Sequence, residues 1–362
     1  MTTVADANVH NLAVRGTFDD CQDAVKALFA DTAFNARHRL GAVNSINWAR
    51  ILAQTVYYFL AHFHARRAHQ LPQDAQLQFV VPTGNFGDVL AGYYAKRMGL
   101  PMGKLVIATN ANDILARFWR SGAYEKVDSA PSPGASDGKQ AVAGVRETQS
   151  PAMDILVSSN FERLLWYLAY EEQGASADDA ARVRAACATV DSWMRAVKVD
   201  GRVQVPTAVL EAARRDFVAE RISDEQVRVA TVRTLDDTEG CAWQTLETIS
   251  SYYGSSPSYI ADPHTAVGLC AAGLVAPLNP PSTVQVVLST AHPAKFSEAV
   301  TRALAGEASF DFAQDVLPEE FRGLLERERR VEDVPNDIEA VKAVIERYVG
   351  DGRAAVEKGA SV

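Results

Sequence analysis

Apolar positions along the chain change period several times, and each change marks an element. Residues 17–30 (TFDDCQDAVKALFA) set Val25, Leu28 and Phe29 behind Thr17 and Asp19, with acids early and Lys26 late, which predicts a capped amphipathic helix. From residue 44, NSINWARILAQTVYYFLAHFHARR brings Trp48, Ile51, Leu52, Val56, Phe59, Leu60 and Phe63 onto one wide helical face. That width predicts a helix largely buried. QFVVP (78–82) is a short apolar run ending in turn chemistry, followed by a helical stretch over 88–98 closed by Gly99 and Pro101. KLVIA (104–108) reads as a second strand and 112–120 as another helix. Strand, helix, strand, helix at this spacing predicts parallel α/β construction.

Residues 127–149 are rich in Ser, Pro, Gly and Ala without periodicity, which predicts a mobile surface insertion. Helices are expected over 161–170, 178–197, 206–218 and 294–304, a strand over 283–290 (TVQVVLST), a solvated helix over 318–331 and a frayed tail from residue 351. The expected division is a remnant of a smaller α/β domain over 1–43, a large domain over 44–350, and the tail 351–362.

With 362 residues, 48% of them hydrophobic and 22% charged, the chain is of the globular class. A net charge of -9 and a pI near 5.4 disfavour a nucleic-acid partner. Cys21, Cys187, Cys241 and Cys270 lie far apart with no CxxC or Cys/His ligand spacing, and no HExxH occurs, so no disulfide framework and no metal are expected. No signal-like start and no apolar run of ~20 residues is present, so a cytoplasmic protein without a membrane partner is expected.

The sharpest local chemistry lies in VVPTGNFGDVLAGYYAKRMGL, where a β-run leads through Gly84, Asn85, Phe86, Gly87 and Asp88 directly into a helix. Glycines permit tight backbone angles and a helix start supplies free N–H groups, so this turn could cradle a phosphate. The same residues also fit a plain strand-to-helix turn capped by Asp88. Neither GxxxxGK[ST] nor GxGxxG is present, which leaves a nucleotide P-loop and a dinucleotide site unsupported. Thr290 ends a strand at STAHPAKF, where a hydroxyl could meet a ligand ring or simply cap a turn. Asn44, Ser45, Asn47 and Arg50 open the long helix with four polar groups, suited to an anionic substrate or to ordinary capping. Asn110, Asn112 and Asp113 follow the strand KLVIA and could line the same edge or cap the next helix. His264 and His292 lack a partnering nucleophile motif and read as structural.

Taken together, NVHNLAVRGTFDDCQ, GAVNSINWARILAQTVYYF, FVVPTGNFGDVLAGYYAKRMGLP, IATNANDIL, SPAMDILVSSNFERLLWYL, DPHTAVG and STAHPAKF, in this order over residues 1–304, resemble threonine synthase of the longer-chain type. That family belongs to the fold-type-II pyridoxal-phosphate enzymes. The resemblance implies an α/β large domain with a mostly parallel sheet and helices on both faces, and conversion of O-phospho-L-homoserine and water to L-threonine and phosphate. It implies pyridoxal 5'-phosphate as cofactor, its phosphate cradled by Gly84, Asn85, Phe86, Gly87 and Asp88 and its ring nitrogen facing Thr290. Substrate contacts are implied at Asn44, Ser45, Asn47, Arg50, Asn110, Asn112 and Asp113.

One departure is large. The family's Schiff-base lysine lies in an N-terminal segment, and Lys26, Lys96, Lys104 and Lys295 stand in no matching context. No residue is therefore assigned as catalytic, and a truncated, inactive form of the enzyme is expected. The alternative is a non-catalytic paralogue that binds pyridoxal phosphate or another phosphorylated metabolite.

Overall fold

The computed structural model describes residues 2–16, 18–45, 47–126, 145–174, 178–222 and 259–359. The chain opens with β1 (Leu12–Val14), α1 (Phe18–Ala30) and α2 (Thr32–His38). It continues with α3 (Trp48–Ala68), β2 (Gln76–Pro82), α4 (Gly87–Arg97), β3 (Leu105–Thr109), α5 (Ile114–Ser121) and β4 (Ala123–Glu125). Then come α6 (Phe161–Glu172), α7 (Asp179–Val199), β5 (Arg202–Gln204), α8 (Thr207–Asp216), β6 (Phe217–Arg221), α9 (Pro263–Val275) and β7 (Thr283–Val287). The last elements are α10 (Ser297–Ala303), α11 (Phe312–Asp315), β8 (Glu332–Val334) and α12 (Ile338–Gly359).

Two compact units result, Met1–Ala42 with Leu317–Val362, and Val43–Val316. Residues 317–350 thus fall with the N-terminal stretch rather than with the large domain expected over 44–350. The reason is pairing: β8 lies parallel to β1 with Val14 opposite Val334. Leu28, Phe34, Val334 and Val341 form the small core behind that pair.

The larger unit is built on a four-stranded, all-parallel sheet in the order β6-β3-β2-β7. Successive side chains of a strand point to opposite faces, and here both faces are apolar. Phe79, Val81, Leu105 and Ile107 pack with Tyr58, Leu90, Phe118 and Phe161. Val80, Val106 and Ala108 pack with Val267, Cys270, Ala271 and Val275 of α9. Helices therefore cover both faces, as parallel sheets require. The α9 approach is close, because a Cβ on Gly268 would lie 2.8 Å from Pro82 Cγ and 2.9 Å from Val287 Cγ1. No described helix is long and apolar enough to cross a membrane.

Four expectations need correction. The buried stripe of α3 is Ile51, Thr55, Tyr58 and His62, while Trp48, Leu52, Val56, Leu60 and Phe63 are exposed. The helix expected over 206–218 ends at Asp216, and FVAER becomes the edge strand β6. No glycine or proline separates the two, so helical spacing ran on through Val218. Residues 318–331 form two short 3-10 turns instead of a helix, broken at Gly323 with φ 71°. The backbone of α12 continues helical through the expected tail to Gly359. The insertion expected over 127–149 lies, for residues 127–144, outside the described residues.

Candidate active site

The turn between β2 and α4 is held chiefly by the segment 158–160. Ser158 Oγ donates to Gly84 O at 2.8 Å. The amide and the Nδ2 of Asn160 both donate to Asn85 O, at 3.1 and 3.0 Å. Ser159 Oγ reaches Asn85 Oδ1 at 3.2 Å. Phe86 sits in the left-handed region at φ 64° because its ring is the anchor, buried among Phe161, Trp119 and Phe217 at centroid distances of 5.3, 6.2 and 6.1 Å. It offers α4 no side-chain cap. With the carbonyls tied down, the N–H groups remain. Among the described residues, none of the amides of residues 84–89 donates a hydrogen bond. A run of unpaired amides at a helix start carries partial positive charge and fits an anion. Gly84 must be glycine, since a Cβ there would lie 2.9 Å from Ala152 O and 3.2 Å from Met153 Cα.

Asn160 also joins this turn to the start of α3, for its Nδ2 donates to Ser45 O at 2.8 Å. Of the four polar residues expected at this helix start, Ser45 is the one tied to the 84–88 turn, through its carbonyl. Asn47, rather than Asn44 or Ser45, caps the helix, its Oδ1 accepting from Ala49 N at 2.9 Å. Arg50 is exposed and donates to Val43 O at 3.2 Å.

Thr290 lies at the same end of the sheet. β7 is the parallel neighbour of β2, with Val80 opposite Val287, and Leu288 N donates to Val80 O at 3.0 Å. The Thr290 amide donates to Thr265 Oγ1 at 3.0 Å, and its hydroxyl, exposed, makes only a long 3.4 Å contact to Leu288 O. Behind it is a buried polar cluster at the start of α9. Ala152 N donates to His264 Nε2 at 3.1 Å, so Nδ1 carries the ring proton and donates to Asp262 Oδ1 at 3.0 Å. Thr265 Oγ1 donates to Asp262 Oδ2. Burial pushes the Asp262 carboxyl up, but the bonds from His264 and Thr265 outweigh it and hold the group below its ordinary value. This cluster ties the 150–153 turn and the Thr290 loop to one helix end.

Asn110 and Asn112 are engaged internally. Their Nδ2 groups donate to Asp154 Oδ1 at 2.8 and 2.9 Å, and Asn110 Nδ2 also reaches Ser150 Oγ at 3.0 Å. They hold the segment 146–154 against the sheet edge. Asp113 is ringed by Arg117, Arg120 and Arg221 at 2.9, 3.3 and 3.4 Å. The lysines singled out in the sequence are directed elsewhere: Lys26 to Asp23, Lys96 to Asp216, Lys104 to Arg214 O, while Lys295 is exposed. Among the described residues, no group of three His, Cys, Asp or Glu could hold a metal ion.

Asn160 and Asp262 are the positioning residues that sequence reading passed over. Each stood one residue before a helical run, in SSNFERLL and ADPHTAVG, where an Asn or Asp reads as a routine cap. Only the fold shows what else they reach.

A family model described as "Threonine synthase, C-terminal" matches residues 265–345. The threonine synthase of Saccharomyces cerevisiae is 48% identical over 351 residues, covering 96% of this chain and 60% of that protein. The Pseudomonas aeruginosa threonine synthase is 39% identical over 358 residues, covering 98% and 62%. The crystal structure of yeast threonine synthase matches with a TM-score of 0.76 at 46% identity, over 97% of this chain and 62% of its own. A pyridoxal-phosphate-bound threonine synthase from Brucella melitensis matches at 0.68 and 37%, over 96% and 61%. This chain thus spans about three fifths of the length of these relatives. At this identity and structural similarity, the chain belongs to the threonine synthase family of fold-type-II pyridoxal-phosphate enzymes.

Proposed function

We propose that this chain carries the cofactor-phosphate and ring-facing part of a pyridoxal-phosphate-dependent threonine synthase, which converts O-phospho-L-homoserine and water to L-threonine and phosphate in the cytoplasm. The observation that supports this reading best is the run of unpaired amides over residues 84–89 beside the start of α3. Backbone amides of Gly84, Asn85, Phe86, Gly87 and Asp88 would hold the cofactor phosphate, and the Thr290 hydroxyl would face the ring nitrogen. Pyridoxal phosphate, when bound, supplies an electron sink for charge that develops on the substrate.

The chain's own residues bind and orient. Asn44, Ser45, Asn47 and Arg50 present donors to the anionic substrate. Asn110 and Asn112 keep the 146–154 wall in place, and Asp113 orders the arginines next to it. A neutral hydroxyl at the ring nitrogen, in place of a carboxylate, leaves the ring less strongly protonated, so the phosphate cradle mainly sets position. The proton-moving lysine that the family resemblance implies is not among the described lysines at this edge. The reading as a non-catalytic paralogue has no observation of its own.

The test is cofactor binding followed by absorbance and fluorescence, with phosphate release from O-phospho-L-homoserine measured in parallel. Gly84→Asp should abolish binding, since it places bulk and negative charge against the Ala152 carbonyl and in the amide row. Thr290→Ala should keep most of the binding. Turnover should stay at background for this chain alone and rise when the remaining length of its relatives is supplied in cis or as a second chain. Undiminished binding by Gly84→Asp would sink the assignment of the cradle.

A further inference from the structure

The structure assigns a second phosphate-binding site, distinct from the 84–88 turn, to the outer half of the same sheet edge. We infer it from a cavity of about 220 Å³ whose wall carries Arg117, Arg120, Arg146 and Arg221 against the single carboxylate of Asp113. The cavity lies beyond the ends of β3 and β6. Asp113 follows the first, and Arg221 is the last residue of the second. The 84–88 turn follows β2, on the other side of β3. The segment 150–156 separates the two, with the Ala152 backbone against Gly84 and Ile155 in the cavity wall. Carboxyl ends of parallel strands are where ligands of open α/β sheets sit.

The charge arithmetic leaves donors over. Asp113 has two carboxylate oxygens, and three guanidinium groups already lie within 3.4 Å of them. Arg117 is further engaged by Glu125, through its carboxylate at 3.3 Å and its carbonyl at 2.9 Å. Arg120 and Arg221 keep most of their N–H groups, and Arg221 Nε is enclosed with no hydrogen-bond partner among the described residues. Arg146 is exposed at the rim, and its guanidinium makes no hydrogen bond or ion pair among the described residues. Among the described residues, Glu220 beside Arg120, Glu125 beside Arg117 and Asp154 behind Asn112 are further acids near this group; Arg202 balances Glu125 at 3.3 Å, and Asp154 accepts from Asn110, Asn112 and Thr148. An enclosed charged donor without an acceptor is unfavourable, and planar guanidinium forks match phosphate oxygens in pairs. The volume is below the range of about 300–1,000 Å³ usual for drug-sized ligands, so the ligand is small: a phosphate group, free or on a short metabolite.

The experiment is calorimetric titration with inorganic phosphate and, separately, with glycerol 3-phosphate. Wild type should take up phosphate at this site, and Gly84→Asp, which blocks the turn, should keep it. Failure of the cradle reading and failure of this one are thereby separable. Adding Arg221→Gln should weaken phosphate at least tenfold. Arg146→Ala, at an exposed position that should fold normally, should weaken it three- to tenfold in either background, with Arg146→Lys restoring part. Glycerol 3-phosphate binding tenfold tighter than phosphate identifies a phosphorylated metabolite as the ligand, and equal affinities identify free phosphate. No saturable binding by Gly84→Asp, or binding that neither arginine variant changes, would overturn the site.

Discussion

Asp88 enters α4 with one carboxylate oxygen, Oδ1, enclosed and without a hydrogen-bond partner among the described residues. Burial pushes its carboxyl up from the usual 3.8 to about 6, against the lowering pull of the Tyr58 hydroxyl. A carboxyl raised in the folded state binds its proton more tightly there than in the unfolded chain. Its contribution to stability is therefore complete below about pH 4 and is lost as the pH climbs through 6. The difference amounts to at most about 3 kcal/mol. Asp88→Asn should remove that slope and leave the chain more stable than wild type at pH 8, as measured by urea unfolding from pH 4 to pH 8. Parallel pH profiles for the two proteins would show that the carboxyl titrates normally. The charge also bears on binding, because an ionised Asp88 opposes an anion in the adjacent amide row. At this scale the sequence was informative where the backbone itself does the work: glycines at 84 and 87 before a helix mark the tight strand-to-helix turn that the structure has there. It was uninformative where a side chain acts across the fold. Nothing near Asn160 in the chain shows that its amide will join Ser45 O to Asn85 O.

Between elements, the contact that positions the start of α4 is α3 on α4. Gly92 lies against the Tyr58 ring, and a Cβ there would come within 2.6 Å of Cε1 and 2.7 Å of Cζ. The ring cannot retreat freely, since Tyr58 is fully buried and its hydroxyl donates to Asp88 O at 2.7 Å. Alanine is the better helix former by about 1 kcal/mol, whereas overpacking a filled core costs about 1–3 kcal/mol. Packing should win, so Gly92→Ala is expected to destabilise the chain in thermal and urea unfolding. In a Tyr58→Leu background the same change should be neutral or stabilising, and an equal loss in both backgrounds would disprove the contact as the cause. Element identity was mostly legible in the sequence because β2, α4, β3, α6 and α7 carry strong periodicity or clear breakers, whereas α9, apolar nearly all round, showed no stripe to read. β6 was not, for its five residues continue the spacing of α8 and become a strand only by pairing with β3, Leu105 opposite Phe217. The same limit applies to β1 and β8, three residues each. Their partner lies more than three hundred residues away, and no local pattern encodes it.

For the whole molecule, the parallel sheet with helices on both faces was legible and the side of α3 that meets it was not. Its apolar residues are spread around the helix, so periodicity marked an apolar helix without saying which stripe would be covered. Tyr58 and Thr55 went inward, and Leu60 and Phe63 stayed 65% and 61% exposed. Together with Trp48, Leu52, Val56 and Tyr57 they form a contiguous apolar strip along one helix, of the kind that soluble chains rarely leave bare. The strip predicts concentration-dependent self-association of this chain. Replacing Leu60 with Lys and Phe63 with Glu should suppress it in light scattering and sedimentation, because the two charges interrupt the strip at its most exposed positions. Neither side chain is in the core, and exposed substitutions usually change stability by no more than about 0.5 kcal/mol, so the melting temperature at low concentration should stay near that of wild type. A wild-type chain that remains monomeric at high concentration would show that the strip is harmless in water. A large drop in melting temperature for the double variant would show instead that these side chains pack against something in the folded chain.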